Sequence, residues 1–299
     1  MKYTKKPETP EQCCLILKER GLIINDQDRA VKYLKNVGYF RLTGYMFHLQ
    51  SKDGNHTFIE GTKFEDIITL YQFDKKLRGV ISEYLERIEI CLRAKLTDKY
   101  SISNGFFWYN NIDLFDDKEI FEKINTEIKV TFEDPKEQFL KWFKHKYTSE
   151  SIPSSNMALE ILSLGKLARL YKALKNSGGK SEIANEFDLP SATITSWYIY
   201  LANVRNICAH HSRLWNKKVT ADRPIFPSRE KYRFKGENFN DSNTTLYGII
   251  SIIDRLLSSF NANNSFTQKI ETLIAEYSVD CKLMGFPENW IETANWKSK

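Results

Sequence analysis

Strand signals are the first thing this 299-residue chain lacks. No run alternates apolar and polar side chains cleanly enough to make half-buried strands. Glycine and proline are scarce, 13 and 8 residues, which is too little turn chemistry for a β-rich fold and favours long helices. The five cysteines (Cys13, Cys14, Cys91, Cys208 and Cys281) include no C-x-x-C and are odd in number. That argues against a disulfide framework and a zinc site, so no metal or other cofactor is expected. The opening MKYTKKPETP carries no apolar core of a signal peptide. The most apolar late stretch, 246–257, is interrupted by Asp254 and is too short for a bilayer. The expectation is a soluble, cytoplasmic protein with no membrane partner. What the chain does have is aromatics, 13% of its residues, enough for a large core. Its net charge of +6 permits an acidic partner such as nucleic acid without requiring one.

Helical patterns recur throughout. Residues 1–10 read as a polar, extended arm. A helix over 11–20 stops at Gly21, and Asn25 or Asp26 caps a second that runs to about Asn36 before Gly38. Thr62 and Glu65 have the spacing of a capping box that opens a long helix. Along it Leu70, Phe73, Leu77, Ile81, Tyr84, Ile88 and Cys91 recur at intervals of three and four, a core-facing stripe. Its polar side carries Arg78, Glu86, Arg87, Glu89 and Arg93, whose alternation predicts pairing one turn apart; one or two of these arginines can instead face a nucleic acid. Further helices are predicted over 119–130, 137–147, 157–174 and 181–187. Another, capped by Ser191, runs to about His211, and two more cover 246–260 and 268–277. The pair around 181 has the look of a helix-turn-helix, but such pairs are common in α proteins and no DNA partner is expected. Segment 217–240 is basic and loop-like. The chain reads as all-α, with a helical lobe over residues 1–55 packed on a helical body over 56–299.

Two segments combine cations with aromatics. Residues 39–50, YFRLTGYMFHLQ, have two readings: a stacking surface for RNA using Arg41 and Tyr45, or aromatic core around a turn at Gly44. The other is YIYLANVRNICAHHSRLWN, residues 198–216. With about 100° per residue, Arg205, Asn206, Ala209, His210 and Arg213 fall within roughly 80° of Ala202. Trp197, Tyr200, Val204, Ile207, Cys208 and His211 lie opposite, toward the core. Arg205 offers a fixed positive charge and a fork for phosphate, and His210 exchanges protons near neutral pH. Asn206, one turn before His210, is placed to orient its imidazole. The alanines between them would let a second helix or a ribose-phosphate backbone come close. The plain reading is that His210 caps a helix end and Arg205 pairs with an acid.

VRNICAHHSRLWN resembles the abortive-infection proteins of the AbiD/AbiF type, a branch of the HEPN superfamily. LKERGLIINDQDRAVKYLKNVGYFRLTGY is similar to that family's opening and FEDIITLYQFDKKLRGVISEYLERIEICLRAKL to its long helix. NMALEILSLGKLARLYKAL, followed by IANEFDLPSATITSWYIYLANVRNICAHHSRLWN, matches its second half in order. The likeness covers roughly residues 5–220. It implies a HEPN-type helical bundle whose R-x4-6-H motif, here Arg205 and His210 with Asn206 following the arginine, forms an RNase site. Such sites are usually built from two motifs. This chain has one, so a homodimer or partner chain is implied, together with phage defence and a non-coding RNA partner.

These readings converge on a metal-independent endoribonuclease, a toxin held in check by a non-coding RNA. Catalysis would rest on Arg205, His210 and Asn206, and RNA binding on Arg213, Arg41, Tyr45, Arg87 and Arg93. Two other classes remain open: an RNA-binding scaffold with a silent or repressed site, and a protein-interaction module.

Overall fold

Capping chemistry sets where the first helices begin. In a computed structural model, which describes residues 2, 6–52, 54–234, 243–293 and 296, Thr9 accepts from the Gln12 N–H while the Gln12 side chain accepts from the Thr9 N–H. Helix α1 (Pro10–Glu19) therefore opens on a complete capping box with proline at its first position. Asp26 accepts from the Arg29 N–H and opens α2 (Gln27–Val37). Gly21 and Gly38 follow these helices at φ of 88° and 93°, a left-handed region that costs glycine little. Part of the arm expected over 1–10 lies outside the described residues. A five-residue α3 (Tyr39–Thr43) comes next.

Helix α4 (Phe64–Asn104) is 41 residues long. Its start departs from expectation by one residue. The Thr62 hydroxyl donates to the Ile59 carbonyl, and the Asp66 carboxylate accepts from the Lys63 N–H at 2.8 Å. The capping box expected of Thr62 and Glu65 does not form, because the Thr62 hydroxyl is already committed to its own turn. The apolar stripe is as expected from Phe73 to Ile88, all of it buried. Glu83–Arg87 and Glu89–Arg93 pair one turn apart, also as expected. Arg78 does not belong to the solvated side. It is buried and ion-paired with fully buried Asp74, and Tyr45 donates to the same carboxylate at 2.6 Å. Two opposite charges and a hydroxyl satisfy one another there, which is the condition for keeping ions out of water.

The remaining helices are α5 (Lys118–Glu133), α6 (Gln138–Lys146), α7 (Ser155–Ala158), α8 (Leu164–Ala173), α9 (Gly179–Glu186), α10 (Ser191–Ala209), α11 (Leu246–Phe260), α12 (Phe266–Tyr277) and α13 (Trp290–Thr293). No strand forms among the described residues, only isolated bridges, so the fold is all-α. The chain divides into two units. One comprises Met1–Arg78 and Glu271–Val279, the other Gly79–Ile270 and Asp280–Lys299, so the three junctions fall inside α4, inside α12 and just after α12. In the second unit α10 packs chiefly on α8, with α9 beside it, and α8 packs on α5.

The single helix expected over 157–174 is broken into α7 and α8. At the break Arg93 bonds two backbone carbonyls. Its Nε donates to Leu159 O at 2.9 Å and its Nη2 to Leu162 O at 3.1 Å. A guanidinium fork with several fixed donors suits the two carbonyls, of which Leu159 O also accepts from the Leu162 N–H at 3.2 Å. Beyond the break, a Cβ placed on Gly165 would sit 3.8 Å from Ala202 Cβ. The alanine of α10 thus meets a neighbouring helix of its own chain, one of the two occupants its small size allows.

Candidate active site on helix α10

Helix α10 is held by its apolar side. Trp197, Tyr198, Tyr200, Leu201, Val204 and Cys208 are all buried, and Ala202 joins them against α8. Pro190, not Ser191, occupies its N-cap position; the Ser191 carbonyl accepts from the Thr195 hydroxyl at 2.7 Å. The helix ends earlier than expected, and the way it ends decides where the two histidines go. The Ser212 N–H bonds to Ile207 O at 2.9 Å and the His211 N–H to Cys208 O at 3.0 Å. These bonds define a Schellman turn, with His210 as C-cap and His211 in the left-handed conformation at φ 55°. A continued helix would aim His211 at the core. The reversal exposes it instead, so the core-facing placement does not hold. His210 keeps its last helical bond, from its N–H to Asn206 O at 2.9 Å, and is also exposed. The chain then turns inward, burying Leu214 and Trp215 completely.

Arg205 is half-buried and Asn206 exposed. Their side chains touch: Arg205 Nη1 donates to Asn206 Oδ1 at 3.4 Å. The Asn206 amide thus lies against the arginine, not the imidazole it was expected to orient. Arg205 has no carboxylate partner among the described residues, which sets aside the plain reading of an arginine neutralised by an acid.

Arg205 and Ala209 form one wall of a cleft of about 420 Å³. The other wall is α4, through Ser82, Glu86, Glu89, Ile90 and Arg93. Two arginines therefore share a cavity with two carboxylates. Glu89 is neutralised by Arg93 at 3.0 Å, and Glu160 approaches the same guanidinium at 3.6 Å. Glu86 is exposed and has no ion-pair partner among the described residues. The sequence marks this α4 wall only as a polar stripe. The spacing 82, 86, 89, 90, 93 places those residues on one helical face, but nothing local says which helix they meet.

The residues expected to bind RNA are scattered. Arg93 joins the Arg205 cleft, but most of its donors serve the carbonyls of Leu159 and Leu162 and the Glu89 carboxylate. Arg87 is exposed, bonded to Glu83 at 3.2 Å and stacked over Tyr84 at 4.6 Å. Arg213 is half-buried just beyond the turn. Arg41 is exposed, in the first unit. Tyr45, in the same unit, is 1% exposed with its hydroxyl on Asp74, and burial pushes its ionisation far up. A ring sealed in this way cannot stack on a base, so the core reading of segment 39–50 holds for Tyr45.

No helix among the described residues is long and apolar enough to cross a membrane, and no cluster of His, Cys, Asp or Glu there is arranged to hold a metal ion. A family model described as Abi-like protein matches residues 32–216, well over half of the chain and including Arg205, Asn206 and His210. No curated protein and no solved structure matches.

Proposed function

This chain belongs to the family of Abi-like proteins, abortive-infection proteins of phage defence, and from that premise we propose that it is a HEPN-type endoribonuclease that cuts RNA without a metal. The observation that carries this reading is Arg205: a cation with no carboxylate partner among the described residues, on the wall of a cleft, with an exposed imidazole just over one turn further along the same helix. In this mechanism a ribose 2′-oxygen attacks the adjacent phosphorus. The bond to the 5′-oxygen breaks and a 2′,3′-cyclic phosphate forms. His210 moves one proton, either from the 2′-OH or onto the departing 5′-oxygen. Arg205 neutralises the charge that builds on the phosphoryl oxygens. A second copy of the chain supplies the other arginine and histidine, so the working form is a homodimer, and a structured non-coding RNA restrains it. Arg213 and Arg87 lie on surface that can hold the RNA backbone.

The test is incubation of the protein with total RNA in EDTA. Wild type is expected to cut. His210→Ala should lose about 10²–10⁴-fold in rate, as removal of a general acid-base does, and Arg205→Ala about 10²–10³-fold. Equal cleavage by His210→Ala would remove His210 from the chemistry. Loss of wild-type cutting in EDTA would mean that a metal is required.

A second reading has its own observation. Glu86 and Glu89 make the Arg205 cleft close to neutral, and Ile90 beside them is 52% exposed. That surface also fits a protein-interaction module. Preserved growth arrest on expressing Arg205→Ala, with no RNA cleaved by wild type, would favour it.

A further inference from the structure

Aromatic rings left in water are usually scattered, and a cluster of them marks a surface that binds something. Such a cluster lies in the second unit, on a cleft of about 330 Å³ that shares no residue with the one at Arg205. Phe106 and Phe107 reach it from the turn after α4, Trp142 from α6, and Tyr147 from the residue after α6. Phe106 is 58% exposed, Trp142 50% and Tyr147 42%. The site is rigidly built. Phe143 forms its floor, packed with Phe132 and Leu140. The Ser155 N–H holds Phe106 O at 2.7 Å, and the Tyr147 N–H holds Phe143 O at 2.8 Å. Tyr147 meets Trp142 edge-on at 6.2 Å.

Glu150 is the one charged residue in the lining, and three lysines, Lys141, Lys144 and Lys146, lie on the helix that carries Trp142. Lys144 is committed to the carbonyls of Phe132 and Glu133. Lys146 lies over the rings of Trp142 (4.8 Å) and Tyr147 (5.3 Å), and Lys141 is exposed one residue before Trp142. Flat rings on a rigid floor with ammonium groups beside them are the combination that grips a single strand: bases stack and phosphates pair.

We propose that this cleft is a stacking site for unpaired bases of single-stranded RNA, a second RNA contact apart from the Arg205–His210 face. The cavity has room for a single nucleoside, and its rings reach only bases that are not already stacked and paired in a helix. A lipid surface calls for rings that project, and these line a hollow. A basic peptide would meet charge of its own sign in Lys146, which lies beside Trp142 and Tyr147.

The test uses the full-length protein and a short labelled 2′-O-methyl RNA of mixed sequence. That RNA has no 2′-hydroxyl to attack its phosphates, so the readout does not depend on whether the protein cuts. Trp142 emission should be quenched on binding. Trp142→Ala and, separately, Phe106→Ala should weaken binding about 5- to 150-fold, the range for losing one base–aromatic stack. Trp142→Phe should restore most of it, and the same sequence as a duplex should bind with no dependence on Trp142. Unchanged affinity in both alanine variants, with helical content intact, would overturn the proposal. So would quenching of Trp142 by anionic vesicles or by a proline-rich peptide but not by the single strand.

Discussion

Burial governs the chemistry of individual side chains in this protein, and the reason is local geometry. Tyr198 and Tyr200 face the core of the second unit, and neither hydroxyl finds a hydrogen-bond partner among the described residues. Burial without a partner pushes the ionisation of both far up. A buried, unbonded hydroxyl costs roughly 1–3 kcal/mol. Tyr200→Phe is therefore expected to raise stability by about 1 kcal/mol, read as a shift in the urea midpoint; a loss would reveal a bonded hydroxyl. The thiols follow the same logic. Burial raises Cys13, Cys14, Cys91 and Cys281, the last two to about 11. The nucleophile is the thiolate, so at pH 8 the native protein should react slowly with a disulfide reagent and rapidly once unfolded. Fast labelling of the folded form would contradict that. The placement of Arg205 on a helix and of His210 at its end was legible, because their spacing is visible in the letters. His211 was not, because its direction depends on a backbone reversal that starts at His210. Tyr45 was read two ways because its partner, Asp74, lies 29 positions away.

At the scale of elements, the clearest pieces were those governed by near neighbours. Helices α1, α2, α5 and α11 begin and end within a few residues of where caps, glycines and apolar spacing put them. The break between α7 and α8 was not legible, since the group that makes it affordable, Arg93, comes from another helix 66 to 69 residues earlier. Arg93→Ala leaves Leu162 O without that donor, while Leu159 O keeps the Leu162 N–H, and should cost roughly 1–3 kcal/mol. Arg93→Lys should recover only part of this, because an ammonium lacks the planar fork. Equal stability of all three proteins on urea titration would show that the break needs no such support. Gly79, inside α4, is a simpler case. A Cβ there meets nothing within 4 Å, so Gly79→Ala should stabilise by about 0.5–1 kcal/mol. A lowered melting temperature would mean that something packs there.

At the scale of the whole molecule, the all-α class followed from what the composition withholds. The assembly of the site did not, because it needs to be known which face of α4 meets α10. A site completed by a second copy also makes a prediction about concentration. Specific RNA-cutting activity should fall as the protein is diluted below its dimer dissociation constant. A flat response, with a monomer in sedimentation at every concentration, would remove the homodimer from the mechanism.

The first unit draws on two widely separated stretches of sequence, Met1–Arg78 and Glu271–Val279. Domains made on the ribosome generally fold in order of emergence, the earliest first. Here the opening residues must wait for Glu271–Val279, made long after Arg78, before their own unit can close. The opening segment thus leaves the ribosome incomplete and stays so until Glu271–Val279 has followed it.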